Sequence, residues 1–303
     1  MNSRQNPAGA EIAVNRLRLF FAMMLVFAAA HLSAAPSRVF RINMQAEPET
    51  MDPSLNYSVA GGRVLRGLFE SLIRLDDKCV PHPVIAESWE HNDDYTQWTF
   101  HLRKNAKWHN GESVTSKDFL YGVERTLTKR LQAPYADNVR SFVKGGAAYY
   151  DAGGLDSSAK LEGIQTPDDQ TIVYALEFPT PFFLQLLDLT CWYPINESAV
   201  KKGGEKWSLS ADTYVGNGPF RMAEYHPKDR VIMKKAATYW DKDNIFWDEV
   251  DAYFIDSQTT EMTAFKTKEL DVTYSVALGN VADWKDKPEY NLISIYGTYF
   301  LCF

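Results

Sequence analysis

Cysteine is scarce in this chain. Cys79, Cys191 and Cys302, three among 303 residues, cannot staple a small disulfide-dense scaffold, and none sits at C-x-x-C or Cys/His metal spacing. They read as small buried hydrophobes, with one disulfide possible and no basis for pairing them. Glycine and proline, at 17 and 14, are too few for a collagen-like or low-complexity chain. Positive charge is in deficit too. Residues 1–35 hold three Arg and one Glu; from Pro36 on, 29 Lys and Arg face 38 Asp and Glu, a net charge of −9. Such an acidic body argues against binding nucleic acid, which needs a basic face. The patterns G-x-x-x-x-G-K-[ST], G-x-G-x-x-G, H-E-x-x-H and G-x-S-x-G are all missing. No apolar run reaches the ~20 residues that span a bilayer.

Aromatic residues are what the chain has in plenty: 16 Tyr, 17 Phe and 8 Trp, or 14%. With 45% hydrophobic residues, the length supports one large domain or two ordinary ones around a substantial core. The N-terminus has the layout of a signal peptide. Arg4, Arg16 and Arg18 precede the uncharged run Leu19–Ala30, and Leu32-Ser33-Ala34-Ala35 supplies small residues for cleavage near Ala34 or Ala35. No Cys follows the run, so a lipid anchor is not expected.

Beyond it, α and β signals mix. Alternation predicts strands at Phe40-Ile42-Met44, Trp98-Phe100-Leu102 and Ile172-Tyr174-Leu176-Phe178. Further strands are expected at Val250–Ile255 and Asp271–Val276. Phe220–Tyr225 and Arg230–Lys235 flank His226-Pro227-Lys228-Asp229, a hairpin signal. Thr115 with Asp118 three positions on is a capping box ahead of the stripe Phe119, Val123, Leu127. Thr180-Pro181 predicts a helix through Leu187, and Ser257 caps another that buries Met262 and Phe265. Gly145-Gly146 and Gly153-Gly154 mark a loop-rich patch. The class is α/β or α+β with more than one sheet.

Catalytic chemistry is thin. His101 and His109 flank Trp108 without carboxylates at ligating spacing, and read as surface histidines. The acid pairs Glu47/Glu49, Asp76/Asp77, Asp93/Asp94 and Asp168/Asp169 sit in expected turns, as solvated loop ends do. Paired carboxylates leave a hydrolase open as a minor alternative. Most aromatics belong to a core, but Tyr57, Trp192 and Tyr193 fall in loops and could line a ligand cleft. The residues point to a binder and name no catalytic group, metal or cofactor.

A long segment carries a family likeness. Ala86-Glu87-Ser88-Trp89-Glu90 leads through Gln97-Trp98-Thr99-Phe100-His101-Leu102-Arg103 to Ala106-Lys107-Trp108-His109-Asn110-Gly111-Glu112. It ends with Val114-Thr115-Ser116-Lys117-Asp118-Phe119. Met51-Asp52-Pro53, Leu68-Phe69-Glu70-Ser71-Leu72, Gly216-Asn217-Gly218-Pro219-Phe220, Tyr239-Trp240 and Glu269-Leu270-Asp271 add landmarks in order. Together they closely resemble the family 5 extracellular solute-binding proteins, the periplasmic oligopeptide- and dipeptide-binding proteins of ABC importers. Two local motifs depart: Ala236 and Ala237 stand where relatives often have Asn-Pro, and Lys268 replaces the Gly before Glu-x-Asp, which strains a left-handed helix end.

The resemblance implies a type II clamshell fold. Its α/β lobe I would be built from residues 37–69 and 197–296, with an α+β domain inserted at 70–196 and lobe II only begun at 297–303. Short peptides would lie between lobes, paired through their main chains, and hinge closure would present them to a membrane permease and its ATPase. The protein would be periplasmic, monomeric and not an enzyme. Positions matching the cleft are Tyr57, Ser58, Val59, Tyr121, Tyr193 and Tyr274. Within the same family a nickel chelate, haem or a cell-wall peptide is the alternative ligand. The apolar run Tyr299–Phe303 reads as the middle of a longer protein, so this chain alone is expected to bind peptide weakly or not at all.

Overall fold

Alternating burial builds the first sheet. In the computed structural model, which describes residues 37–292, β1 (Val39–Asn43) pairs in parallel with β10 (Glu249–Tyr253). Antiparallel β9 (Arg230–Lys235) and β8 (Phe220–His226) complete the order β1-β10-β9-β8. Met222, Val231, Met233, Val250 and Ala252 are buried on one face. The β8–β9 hairpin forms as its sequence predicts, with Asp229 N–H donating to the His226 carbonyl across Pro227-Lys228. Pro227 presets the first turn position, while Lys228 adopts φ 63°, where glycine is usual.

A second four-stranded sheet has the order β4-β5-β7-β6, all antiparallel. It comprises β4 (Ala86–His91), β5 (Gln97–Leu102), β6 (Ile164–Asp168) and β7 (Thr171–Ala175). Trp98, Phe100, Leu102, Ile172 and Tyr174 turn inward together. β7 stops at Ala175, and Phe178, expected to continue it, is exposed. A short hairpin of β2 (Ile73–Leu75) and β3 (Pro81–Pro83) lies between the two sheets in the chain.

The helices are short. α1 (Val59–Leu68) starts at Ser58, whose Oγ accepts the Gly61 N–H, and it packs on the β8–β9 hairpin near Met233. α2 (Ser116–Thr126) starts at the expected capping box: the Asp118 carboxylate accepts the Thr115 N–H at 2.6 Å and its hydroxyl at 2.9 Å. Phe119, Val123 and Leu127 are all fully buried. α3 (Ala136–Arg140) and α4 (Gly146–Asp151) follow, so the glycine-rich patch frames a helix instead of an open loop. α5 (Phe183–Leu186) begins later than predicted, because the Thr180 hydroxyl donates to the Phe178 carbonyl and leaves the helix uncapped. α6 (Glu197–Gly203), α7 (Gln258–Lys266) and α8 (Val281–Trp284) complete the set. A serine cap like that of α1 recurs at α7, where Ser257 Oγ accepts the Thr260 N–H.

The strand predicted at Asp271–Val276 does not form. After α7 the chain turns through Lys268 at φ 64°, and only Val272 bridges to Ile42. The Asp271 carboxylate takes the Arg41 N–H at 2.8 Å, a side chain filling the place of the next ladder bond. Cys191 is buried, and burial pushes its thiol up to about 12; Cys79 is exposed in the β2–β3 turn, against expectation. The expected signal peptide, Cys302 and the expected opening of lobe II lie outside the described residues. Among the described residues, no helix is long and apolar enough to cross a membrane.

Candidate functional site

The sequence landmarks converge on one knot. Asn217 pairs with the backbone of Glu70 as a peptide would: its Oδ1 accepts the Glu70 N–H at 2.9 Å and its Nδ2 donates to the Glu70 carbonyl at 3.0 Å. Gly216 and Gly218 are required here, since a Cβ on Gly216 would stand 2.0 Å from the Leu68 carbonyl oxygen. His109 joins from the other side. Its Nε2 lies 3.0 Å from the Gly218 carbonyl, and the Gly216 N–H donates to its Nδ1 at 3.3 Å, so the ring is neutral with the proton on Nε2. Burial, with help from the Arg221 charge, pulls its pKa down to about 4. His109 is therefore no surface histidine but a tie between two distant loops. The Glu70 carboxylate accepts Tyr239 O–H at 2.6 Å and Trp240 Nε1–H at 2.9 Å, and burial pushes its pKa up despite those donors. Arg103 stacks over Trp240, 3.6 Å from the ring centroid.

A second tie holds the loop that precedes α1. Asp52 and Arg125 of α2 form a buried bidentate pair at 2.7 and 2.6 Å, and Trp207 Nε1–H donates to the same carboxylate at 3.0 Å. Asp52 also caps its own turn, accepting the Ser54 N–H on its side chain and the Leu55 and Asn56 N–H groups on its carbonyl. Tyr214 O–H donates to the Met51 carbonyl at 2.7 Å. The loop Met51–Ser58 is thus fixed from beneath before it meets solvent. Nothing in the residues around Asp52 or Arg125 announces this pair.

Above that loop is a groove of about 380 Å³ lined by Tyr57, Ser58, Val59, Arg63, Arg66, Tyr135 and Asp188 among others. Tyr57 and Val59 are 55% and 65% exposed, unusual for large apolar side chains on an anchored loop. Arg66 pairs with Asp188, while the Arg63 guanidinium lies 4.1 Å from the centroid of the Tyr274 ring. Tyr274 in turn borders a larger cavity of about 570 Å³, with Met262, Phe265, Trp284 and Tyr290 on its other sides.

Four of the six sequence candidates, Tyr57, Ser58, Val59 and Tyr274, are thus gathered around Arg63. Tyr193 is buried and faces a separate chamber of about 100 Å³ beside Arg66 and Asp188. Tyr121 is half-buried on α2 and lines none of these cavities. Trp192, a loop aromatic expected at a cleft, is fully buried against Phe183 and Tyr174. Arg63, Arg66, Tyr135 and Asp188 were not among the sequence candidates. The two arginines stand three apart on an amphipathic helix, which was the available signal.

Residues 80–303 match the family described as bacterial extracellular solute-binding proteins, family 5 Middle. The chain belongs to that family. Among curated relatives, the dipeptide-binding protein DppE of Bacillus subtilis is 34% identical over 267 residues, 88% of this chain and 48% of the relative. The periplasmic oligopeptide-binding protein OppA of Salmonella typhimurium is 34% identical over 235 residues, 77% of this chain and 42% of its own. The substrate-binding domain of an oligopeptide ABC transporter from Bacillus anthracis superposes with a TM-score of 0.76 at 32% identity, covering 84% of this chain and 48% of that one. The chain therefore spans about half the length of the relatives it matches. Its fold is the mixed α/β fold of the type II periplasmic binding proteins.

Proposed function

We propose that this solute-binding protein captures peptides for an ABC importer, with the groove at the start of α1 as part of its ligand cleft. One observation carries the reading: Tyr57 and Val59 are held out to solvent on a loop locked from below by Asp52 and Arg125. A rigid aromatic rim suits a ligand with both apolar and amide groups, because a Tyr ring packs on the former and its hydroxyl serves the latter. Relatives support it. Listeria monocytogenes OppA bound to peptide superposes with a TM-score of 0.75 at 27% identity.

In this reading Tyr57, Ser58 and Val59 form one rim, Tyr274 steadies the facing side through Arg63, and Tyr193 supports the floor through the Arg66–Asp188 pair. Tyr121 contributes from α2 only if the ligand reaches past the groove. The first sheet, drawn from residues 39–43 and 220–253, supports a discontinuous lobe I at 37–69 and 197–296. The second, within 86–175, supports an inserted domain at 70–196. Export through a signal peptide at 1–35, a periplasmic monomer, a permease and ATPase as partners, and no enzymatic activity complete the proposal.

Isothermal titration of the chain with mixed tri- to pentapeptides tests it. Weak saturable binding in the sub-millimolar to millimolar range is expected from a shallow, open groove of this size. Tyr57→Ala should weaken it several-fold while leaving thermal unfolding unchanged. No binding at millimolar peptide, or binding indifferent to that substitution, defeats the reading.

A further inference from the structure

Arg63 differs from Arg66, the other arginine lining the groove. It is exposed on α1, four residues after Val59 and three before Arg66, so the three share one face of the helix. Arg66 is paired with Asp188. Among the described residues Arg63 has no ion-pair partner and donates no side-chain hydrogen bond; its only polar engagement is the stack on Tyr274. The ring engages the guanidinium without taking any of its N–H groups, and Arg63 lines the groove. The first turn of α1 holds no acidic residue, so the helix N-terminus adds positive potential at the same place. Among the described residues the groove lining counts Arg63 and Arg66 against Asp188 alone, a local positive surplus on a protein whose body carries −9.

We propose that Arg63 is a specificity-determining residue: it takes a carboxylate of the bound ligand in a bidentate pair, so the groove selects peptides that bring an acidic group to this point. The assignment rests on the peptide reading above. Asp188 is already occupied by Arg66, and among the described residues no other acid lines the groove to compete for Arg63. Tyr274 acts as a positioning residue. Its ring lies under the guanidinium, and its own loop is pinned where its N–H donates to the Glu261 carboxylate of α7. A carboxylate can come from a Glu or Asp side chain or from the peptide's own C-terminus. Both offer the same planar pair of oxygens to the arginine fork.

Three peptides separate these cases, titrated into the full chain at up to millimolar concentration: Ala-Glu-Ala amide, Ala-Gln-Ala amide, and Ala-Gln-Ala with a free C-terminus. The expected result is about tenfold tighter binding of at least one carboxylate-bearing peptide over the neutral amide, the scale of one charge-assisted pair. Preference for the first peptide identifies a side chain as the source; preference for the third identifies the C-terminus. In Arg63→Gln the preference should vanish, and Arg63→Lys should restore only part of it, since an ammonium attracts a carboxylate without the fork. Equal binding of all three peptides, or a preference that survives Arg63→Gln, overturns the assignment and leaves the peptide reading standing. No binding of any of the three overturns both.

Discussion

The knot around Asn217 and the groove above Ser58 lie at the two ends of one short helix, yet they are built on opposite rules. At the C-terminal end of α1, every polar group is spoken for: Asn217 mimics a peptide toward Glu70, His109 bridges two glycines, and Glu70 receives Tyr239 and Trp240. At the N-terminal end, Tyr57 and Val59 stand in solvent and Arg63 lacks an acidic partner among the described residues. Polar satisfaction with close backbone approach makes the first end a structural joint, because removing a buried partner strands its mate. Open valence at the second is what the proposed ligand surface rests on. The landmarks that reveal the family crowd into the joint, so they identify the scaffold better than what it binds.

The contrast can be broken most severely from below the groove. Arg125→Met strands the Asp52 carboxylate, which is almost wholly buried, and should cost about 3–5 kcal/mol in denaturant unfolding. Pairing it with Asp52→Leu should recover a large part of that loss. If the single and double variants unfold alike, the ion pair is not what holds the loop.

Acid should weaken the joint next. The folded-state pKa of His109, about 4, lies below the usual 6.5, so its contribution is complete above about pH 6.5 and drains away as pH falls toward 4. At about 1.4 kcal/mol per pKa unit, the full loss approaches ~3 kcal/mol. His109→Asn removes the titration, so the stability gap between the two proteins should narrow between pH 7 and pH 4. A gap that stays constant would show that the ring is not titrating against the Gly216 N–H.

The groove should barely register in stability. Tyr57→Ala and Arg63→Gln remove exposed side chains and should shift unfolding by less than about 0.5 kcal/mol, while both alter binding. A larger loss from either would place that residue in the scaffold and erase the distinction between the two ends of α1.

Local chemistry is legible in the sequence where it acts over a few residues. The Thr115–Asp118 box, the Phe119-Val123-Leu127 stripe, the Ser257 cap and the β8–β9 hairpin all appear as their spacing predicts. Departures gather where another group intervenes. Asp271 spends its carboxylate on Arg41 and halts a predicted strand; Thr180 bonds the Phe178 carbonyl and does not cap α5; His109 is drawn inside by two glycines far along the chain. At the candidate site, Tyr57, Ser58 and Val59 are legible from their place after Met51-Asp52-Pro53. Arg63 is not, because its meaning depends on Tyr274 across the fold.

Periodicity, capping and turn residues by themselves determined the element types, and the ordered landmarks determined the family. Those signals are local, set by steric preference and by hydrogen bonds within a turn or two. Tertiary structure alone decided which charges are buried and which are left open. Asp52 meets Arg125 across 73 positions and Asn217 meets Glu70 across 147, separations that no local pattern records. Whether a charge is neutralised depends on what the fold brings within a few ångströms of it, and that is why the groove and its arginine emerge only from the assembled chain.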